Sequence, residues 1–142
     1  MREYYKTRLA IYIMFVKDNK ILLSKRRSTG YKDGWYGFVQ GHIENGETPT
    51  EAAIREAKEE AGVVISPEDL EFGLVCHNQV EVHYIDFFFV CEKWDGEIKN
   101  MEHDKCEELK WYDISSLPEL TMFQVLEYIK NYKEGKKLVE IM

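Results

Sequence analysis

The chain has 142 residues, a formal net charge of −7, and 44% hydrophobic residues, including 7 Phe, 9 Tyr and 3 Trp. That is enough apolar material for a core at a size typical of one domain, so residues 1–142 are expected to fold as a single domain. The acidic balance argues against binding to a nucleic acid polymer, and no apolar run is long enough to span a membrane.

In chain order, Leu9 to Val16 is β-branched and aromatic and predicts a strand. Asp18-Asn19 signals a turn, and Ile21 to Ser24 predicts the returning strand. Ser28 to Gly34 holds two glycines and predicts a loop, and Trp35 to Val39 predicts a further short strand. Leu70 to Gln79 and Tyr84 to Trp94 predict a long antiparallel pair around Val80 to His83. Asp95-Gly96 is a turn signal, a charged connection runs to about Glu108, and Leu109 to Tyr112 predicts a short strand. Met122 to Tyr132 has apolar residues at helical spacing. The pattern is mixed α/β (α+β), with helices covering a sheet.

The N-terminus lacks an apolar stretch that ends in a small-residue cleavage site. Cys76, Cys91 and Cys106 sit 15 residues apart, which fits no zinc spacing. Free thiols and a cytoplasmic location are expected.

One predicted helix carries chemistry. Thr48 is a good N-cap, Pro49 suits the first helical position, and Glu51 completes a capping box. Gly62 suits the left-handed position beyond the end, so the helix is predicted over about Pro49 to Ala61. Glu56, Glu59 and Glu60 share one face of it. Like charges at these spacings cost about 0.2–0.5 kcal/mol per pair. Acids in the last turn oppose the helix dipole by a further ~0.3–1 kcal/mol each. A solvated acidic face relieved by Arg55 and Lys58 is one explanation, and a cation site is the other.

The surroundings favour the cation site. The loop Gly41-His42-Ile43-Glu44-Asn45-Gly46-Glu47 allows close backbone approach to a ligand, and a Gly41 carbonyl suits a hard cation. Gly41, five residues, Glu47, seven residues, Arg55-Glu56-Ala57, one residue, Glu59-Glu60, one residue, then Gly62-Val63 resembles the Nudix box.

The resemblance implies an αβα sandwich with a mixed central sheet. It implies a hydrolase that cleaves a phosphoanhydride bond in a nucleoside diphosphate linked to another group. By resemblance, Glu56, Glu59 and Glu60 hold Mg²⁺, or Mn²⁺ in its place, with the main-chain oxygen of Gly41. Arg55 orients the carboxylates, Glu47 supports the loop–helix junction, and Gly62 closes the helix. Glu59 is favoured as general base, with Glu102 and Glu107 as candidates outside the box. Two departures stand out: Gln40, where many members have glycine, and Ala57, where a larger aliphatic is usual.

Lys25, Arg26 and Arg27 are placed to meet phosphates, and Gln40 and Glu107 are further substrate-contact candidates. Tyr31, Trp35, Tyr36 and Phe38 are candidates for stacking on a base, although core packing explains most aromatics in such stretches. The four histidines show no metal-ligand spacing. A small-molecule nucleotide is the expected partner, and a homodimer is compatible with the resemblance. The first-ranked substrate is a nucleoside triphosphate, oxidised or otherwise noncanonical forms included, cleaved to monophosphate and pyrophosphate. ADP-ribose or a nucleotide sugar ranks second. The rival of another class is a non-catalytic Nudix sensor module, which would usually have lost the box carboxylates that this chain keeps.

Overall fold

The computed structural model describes all 142 residues. Its first strand, β1 (Arg8–Lys17), turns through Asp18 and Asn19, both at positive φ, into β2 (Lys20–Arg26). Two consecutive left-handed residues make the tight turn whose twist suits a hairpin. Next come β3 (Tyr36–Gly37), β4 (Val39–His42) and α1 (Pro49–Glu56). β5 (Leu70–Asn78), β6 (Tyr84–Cys91), β7 (Cys106–Asp113), α2 (Phe123–Lys133) and β8 (Leu138–Ile141) complete the chain.

The eight strands form one mixed sheet in the order β3-β2-β1-β6-β5-β8, with β4 joined to β1 and β7 to β2. β1–β6 and β5–β8 are parallel, and the other pairs are antiparallel. β1 shares one edge between two partners. Ala10 to Ile13 pair with β4, whereas Val16 and Lys17 pair with β2. The sheet therefore opens between β2 and β4.

Strands covered on both faces have a core residue at every position. Along β1, Ala10, Tyr12 and Met14 join one core cluster, and Ile11, Ile13 and Phe15 join the other. The first cluster lies under Val125, Tyr128 and Ile129 of α2, the second under Ala52, Ala53 and Ala57 from the α1 side. This is the expected sandwich of helix, mixed sheet and helix. Ala52, Ala53, Ala57 and Ala61 are all fully buried, so the small residue at position 57 belongs to an alanine face that brings the helix close to the sheet.

Four expectations need correction. Trp35 to Val39 is not one strand: the chain breaks at Phe38, leaving β3 on β2 and β4 on β1. Gly41 and His42 belong to β4 rather than to a loop, because Gly41 pairs with Ile11 and His42 with Ala10. The box helix is α-helical only to Glu56 and continues as a π-helix over Ala57–Ala61. β8 was not expected; its short sequence, Leu-Val-Glu-Ile, becomes a strand by pairing in parallel with β5.

Candidate active site

The box helix begins as its sequence dictates. Thr48 accepts from the Glu51 N–H at 3.1 Å, and Glu51 accepts in return from the Thr48 N–H at 2.9 Å. Its end departs from the regular helix. A π-helical turn is rare and concentrates at functional sites. Here it spans Glu59 and Glu60 and closes on Gly62, whose φ of 69° is the left-handed conformation glycine tolerates. The following segment satisfies the exposed carbonyls: the Lys99 N–H donates to Ala61 and the Met101 N–H to Glu60. That docking brings Glu102 and Lys105 to the same cleft.

β4 supplies the opposite wall. A Cβ on Gly41 would lie 2.2 Å from the Glu56 carboxyl carbon, so glycine alone lets that carboxylate pack onto the strand. Glu56 and Glu60 share a side-chain hydrogen bond, and the Gln40 backbone lies beside Glu60. Oε2 of Glu60 is buried without a partner. Burial, then the charge of Glu56, pushes Glu60 well above the usual carboxylate range. Burial also raises Glu56, opposed by its hydrogen bond with Arg55. Two carboxyls this close share a proton more readily than they both ionise.

Arg55 joins the parts. Its Nε and Nη2 grip Glu47 at 2.6 and 3.0 Å, and Nη2 also donates to the His42 carbonyl at 3.0 Å. Its Nη1 reaches Glu56 at 2.8 Å and Glu59 at 3.2 Å. The hydrogen bond with Glu47 is the main reason the guanidinium is held above its ordinary value, and the same bond lowers Glu47. Glu47 also accepts from the Glu44 N–H at 2.9 Å, which ties the loop to the helix.

The donor set fits a hard divalent cation. It is all oxygen: two adjoining carboxylates, one with an orphaned buried atom, beside the Gly41 backbone. A cation there would replace the shared proton and satisfy the orphan. No three acidic, His or Cys side chains are yet gathered into a cage. Glu59 is the more open of the three acids, its side chain 54% exposed and paired with Arg55.

These groups face a cleft of about 740 Å³, within the range of small-ligand sites. Glu56, Glu59, Glu60 and Gly41 line it together. Among the other expected residues, Arg26, Gln40 and Glu102 also line it, as do Tyr31, Phe38 and His42. Arg26 is partly engaged in shaping its loop, donating to the Tyr31 carbonyl at 2.8 Å and to Thr29 Oγ1 at 3.2 Å. Arg27 and Glu107 stay outside the wall. Arg27 is exposed, and Glu107 points outward to Lys25 Nζ at 2.7 Å. Trp35, Tyr36, His77, His83 and His103 are also outside it. Sequence reasoning missed Arg8, Lys105, Tyr12, Asn78 and Gln124, which line the cleft from β1, β5, α2 and the charged connection. No local motif marks them, because only the sheet topology brings them together.

Known proteins resemble this chain in sequence and in fold. A family profile described as NUDIX domain matches residues 6–131. The chain is 34% identical over 137 residues to an ADP-ribose pyrophosphatase of Methanocaldococcus jannaschii, covering 95% of this chain and 78% of that protein. It is 31% identical over 93 residues to the 8-oxo-dGTP diphosphatase of Escherichia coli, covering 65% and 70% of the two chains. Its fold is similar to that of a MutT NUDIX hydrolase from Burkholderia pseudomallei, with a TM-score of 0.82 at 22% identity, over 89% of this chain and 98% of the other.

Proposed function

The chain belongs to the Nudix family of hydrolases, and from that premise we propose that it hydrolyses a nucleoside triphosphate to the monophosphate and pyrophosphate with Mg²⁺ bound by Glu56, Glu60 and the Gly41 carbonyl. The carrying observation is the Glu56–Glu60 pair: Glu56 packs against Gly41, Glu60 holds a buried Oε2 with no partner, and all three residues line one nucleotide-sized cleft.

A bound divalent ion supplies phosphate charge neutralisation and an activated water. The protein supplies position and electrostatics. Arg55, pinned by Glu47, holds Glu56 in place. Glu59 carries an exposed carboxylate that can leave Arg55 and accept a proton from the attacking water. Glu102 is the second candidate for that role, since it lines the cleft and its charge acts on Glu60. Arg8, Arg26 and Lys105 line the same cleft and offset a polyphosphate's charge in a protein of net charge −7. Those three cations, with the likeness to the 8-oxo-dGTP diphosphatase, favour a triphosphate. ADP-ribose is the second reading, favoured by the likeness along 95% of the chain to an ADP-ribose pyrophosphatase.

The test is a panel of ordinary and oxidised nucleoside triphosphates, ADP-ribose and nucleotide sugars with Mg²⁺ or Mn²⁺, the products identified by mass, with Glu60→Gln in parallel. Pyrophosphate release that is absent in the variant supports the triphosphate reading. Cleavage of ADP-ribose alone supports the second. Nucleotide binding without any product would support a sensor module instead.

A further inference from the structure

The acidic wall accounts for only part of the cleft. Tyr12, Asn78 and Gln124 also line it, and each is less than 8% exposed. Asn78 is already committed. Its Nδ2 donates to Asp86 Oδ2 at 3.1 Å, and its Oδ1 accepts from the Val80 N–H at 3.1 Å. Gln124 is different. Its amide lies beside the Tyr12 hydroxyl, and its Oε1 is buried with no donor. Native proteins leave few buried acceptors unpaired, and an exception in a cleft wall is a candidate ligand contact.

The two groups present complementary chemistry side by side. With the Gln124 Nε2–H turned toward the Tyr12 oxygen, Oε1 would be free to accept and the Tyr12 O–H free to donate. Tyr12 keeps its proton, because burial and then the charge of Asp86 raise it well above its ordinary value. Its ring is held edge-on against Tyr128 at 5.5 Å. Phe38, Met122 and Phe123 provide apolar walls to the same cleft. An acceptor beside a donor between apolar walls suits a flat heterocycle with an amine next to a ring nitrogen.

Resting on the reading of the cleft as a nucleotide site, we infer that Gln124 and Tyr12 read the base and select one whose exocyclic amine adjoins a ring-nitrogen acceptor, as in adenine and cytosine. Hypoxanthine and uracil have no exocyclic amine: in the same pose they set a carbonyl against Oε1 and leave it unpaired.

The test uses equilibrium binding, so it does not depend on turnover. Titration calorimetry of the full chain measures the affinities of AMP against IMP and of CMP against UMP. In at least one pair the wild type should prefer the amine-bearing nucleotide by about tenfold or more. Gln124→Leu should bring that ratio to about twofold or less by weakening only the amine-bearing member. Tyr12→Phe keeps the packed ring and removes the donor, and it serves as the second variant should Gln124→Leu fold poorly; it too should lower the ratio. Equal affinities within both pairs, a preference that survives both variants, or no binding by any of the four would overturn the inference. Intact binding ratios with no hydrolysis of any nucleotide would overturn the proposed reaction and leave the base reading standing.

Discussion

Arg55 and Glu47 are joined by two parallel hydrogen bonds, Nε to Oε2 at 2.6 Å and Nη2 to Oε1 at 3.0 Å. The pair fixes the guanidinium from behind, so its remaining amino group can hold Glu56 and Glu59. Lysine keeps the charge and loses the planar fork. Arg55→Lys should therefore lower kcat/KM about 10- to 100-fold through misplaced carboxylates. Steady-state kinetics across a Mg²⁺ titration check this, and activity within twofold of wild type would show that the fork is dispensable.

Gly41→Ala separates the site from the fold. The added methyl meets the flexible end of Glu56 rather than backbone, so the carboxylate swings aside. Stability should fall by about 1 kcal/mol or less. Metal affinity should fall about 10- to 100-fold. Thermal melting and a Mn²⁺ binding isotherm on the same sample read the two effects separately.

Glu60 makes the metal-free protein sensitive to alkali. Its folded pKa lies above 4.5, so the folded state retains a proton that the unfolded chain releases near 4.5. Stability is therefore fully present below about 4.5 and is lost as pH rises through the folded value. Glu56 is shifted in the same direction. In the presence of chelator, Glu60→Gln should melt higher than wild type at pH 8, by roughly 1–3 kcal/mol of stability. At pH 5 the difference should shrink. A variant that melts lower than wild type at pH 8 would contradict the burial argument.

Asp86 is a fully buried carboxylate that accepts from Asn78 and Tyr128. Asp86→Ala strands both donors in the core beneath α2. The expected loss is about 3 kcal/mol, or a melting temperature lower by roughly 6–12 °C. Differential scanning fluorimetry measures it, and a shift below about 2 °C would mean that the two donors find other partners.

The parts of the fold written in local chemistry were legible in advance. The Asp18-Asn19 turn, the Thr48–Glu51 capping box and the Gly62 terminus each depend on residues within four positions of one another. The carboxylates of the site were legible for the same reason, since one helix carries all three. The π-helical turn was not, because it is stabilised by distant residues 99–101 donating to its carbonyls. β3 and β4 were merged because the break at Phe38 follows from a change of partner strand rather than from a turn residue. Arg27 and Glu107 were drawn into the expected site by charge alone. The register of β2 on β7 places Lys25 opposite Glu108 and joins Lys25 to Glu107 outside the cleft. Gln124 resembles any polar residue of an amphipathic helix until α2 is seen against β1.

β8 carries a practical lesson for anyone trimming this chain. The family match stops at residue 131, inside α2 and before the strand that lies along Val75 to Asn78. A chain cut at that boundary would lose the last two residues of α2 and leave the backbone groups of β5 open along that edge, a template for pairing with a neighbouring molecule. Such a fragment should self-associate, and solubility lost on shortening would then report an uncovered sheet edge rather than a damaged catalytic centre.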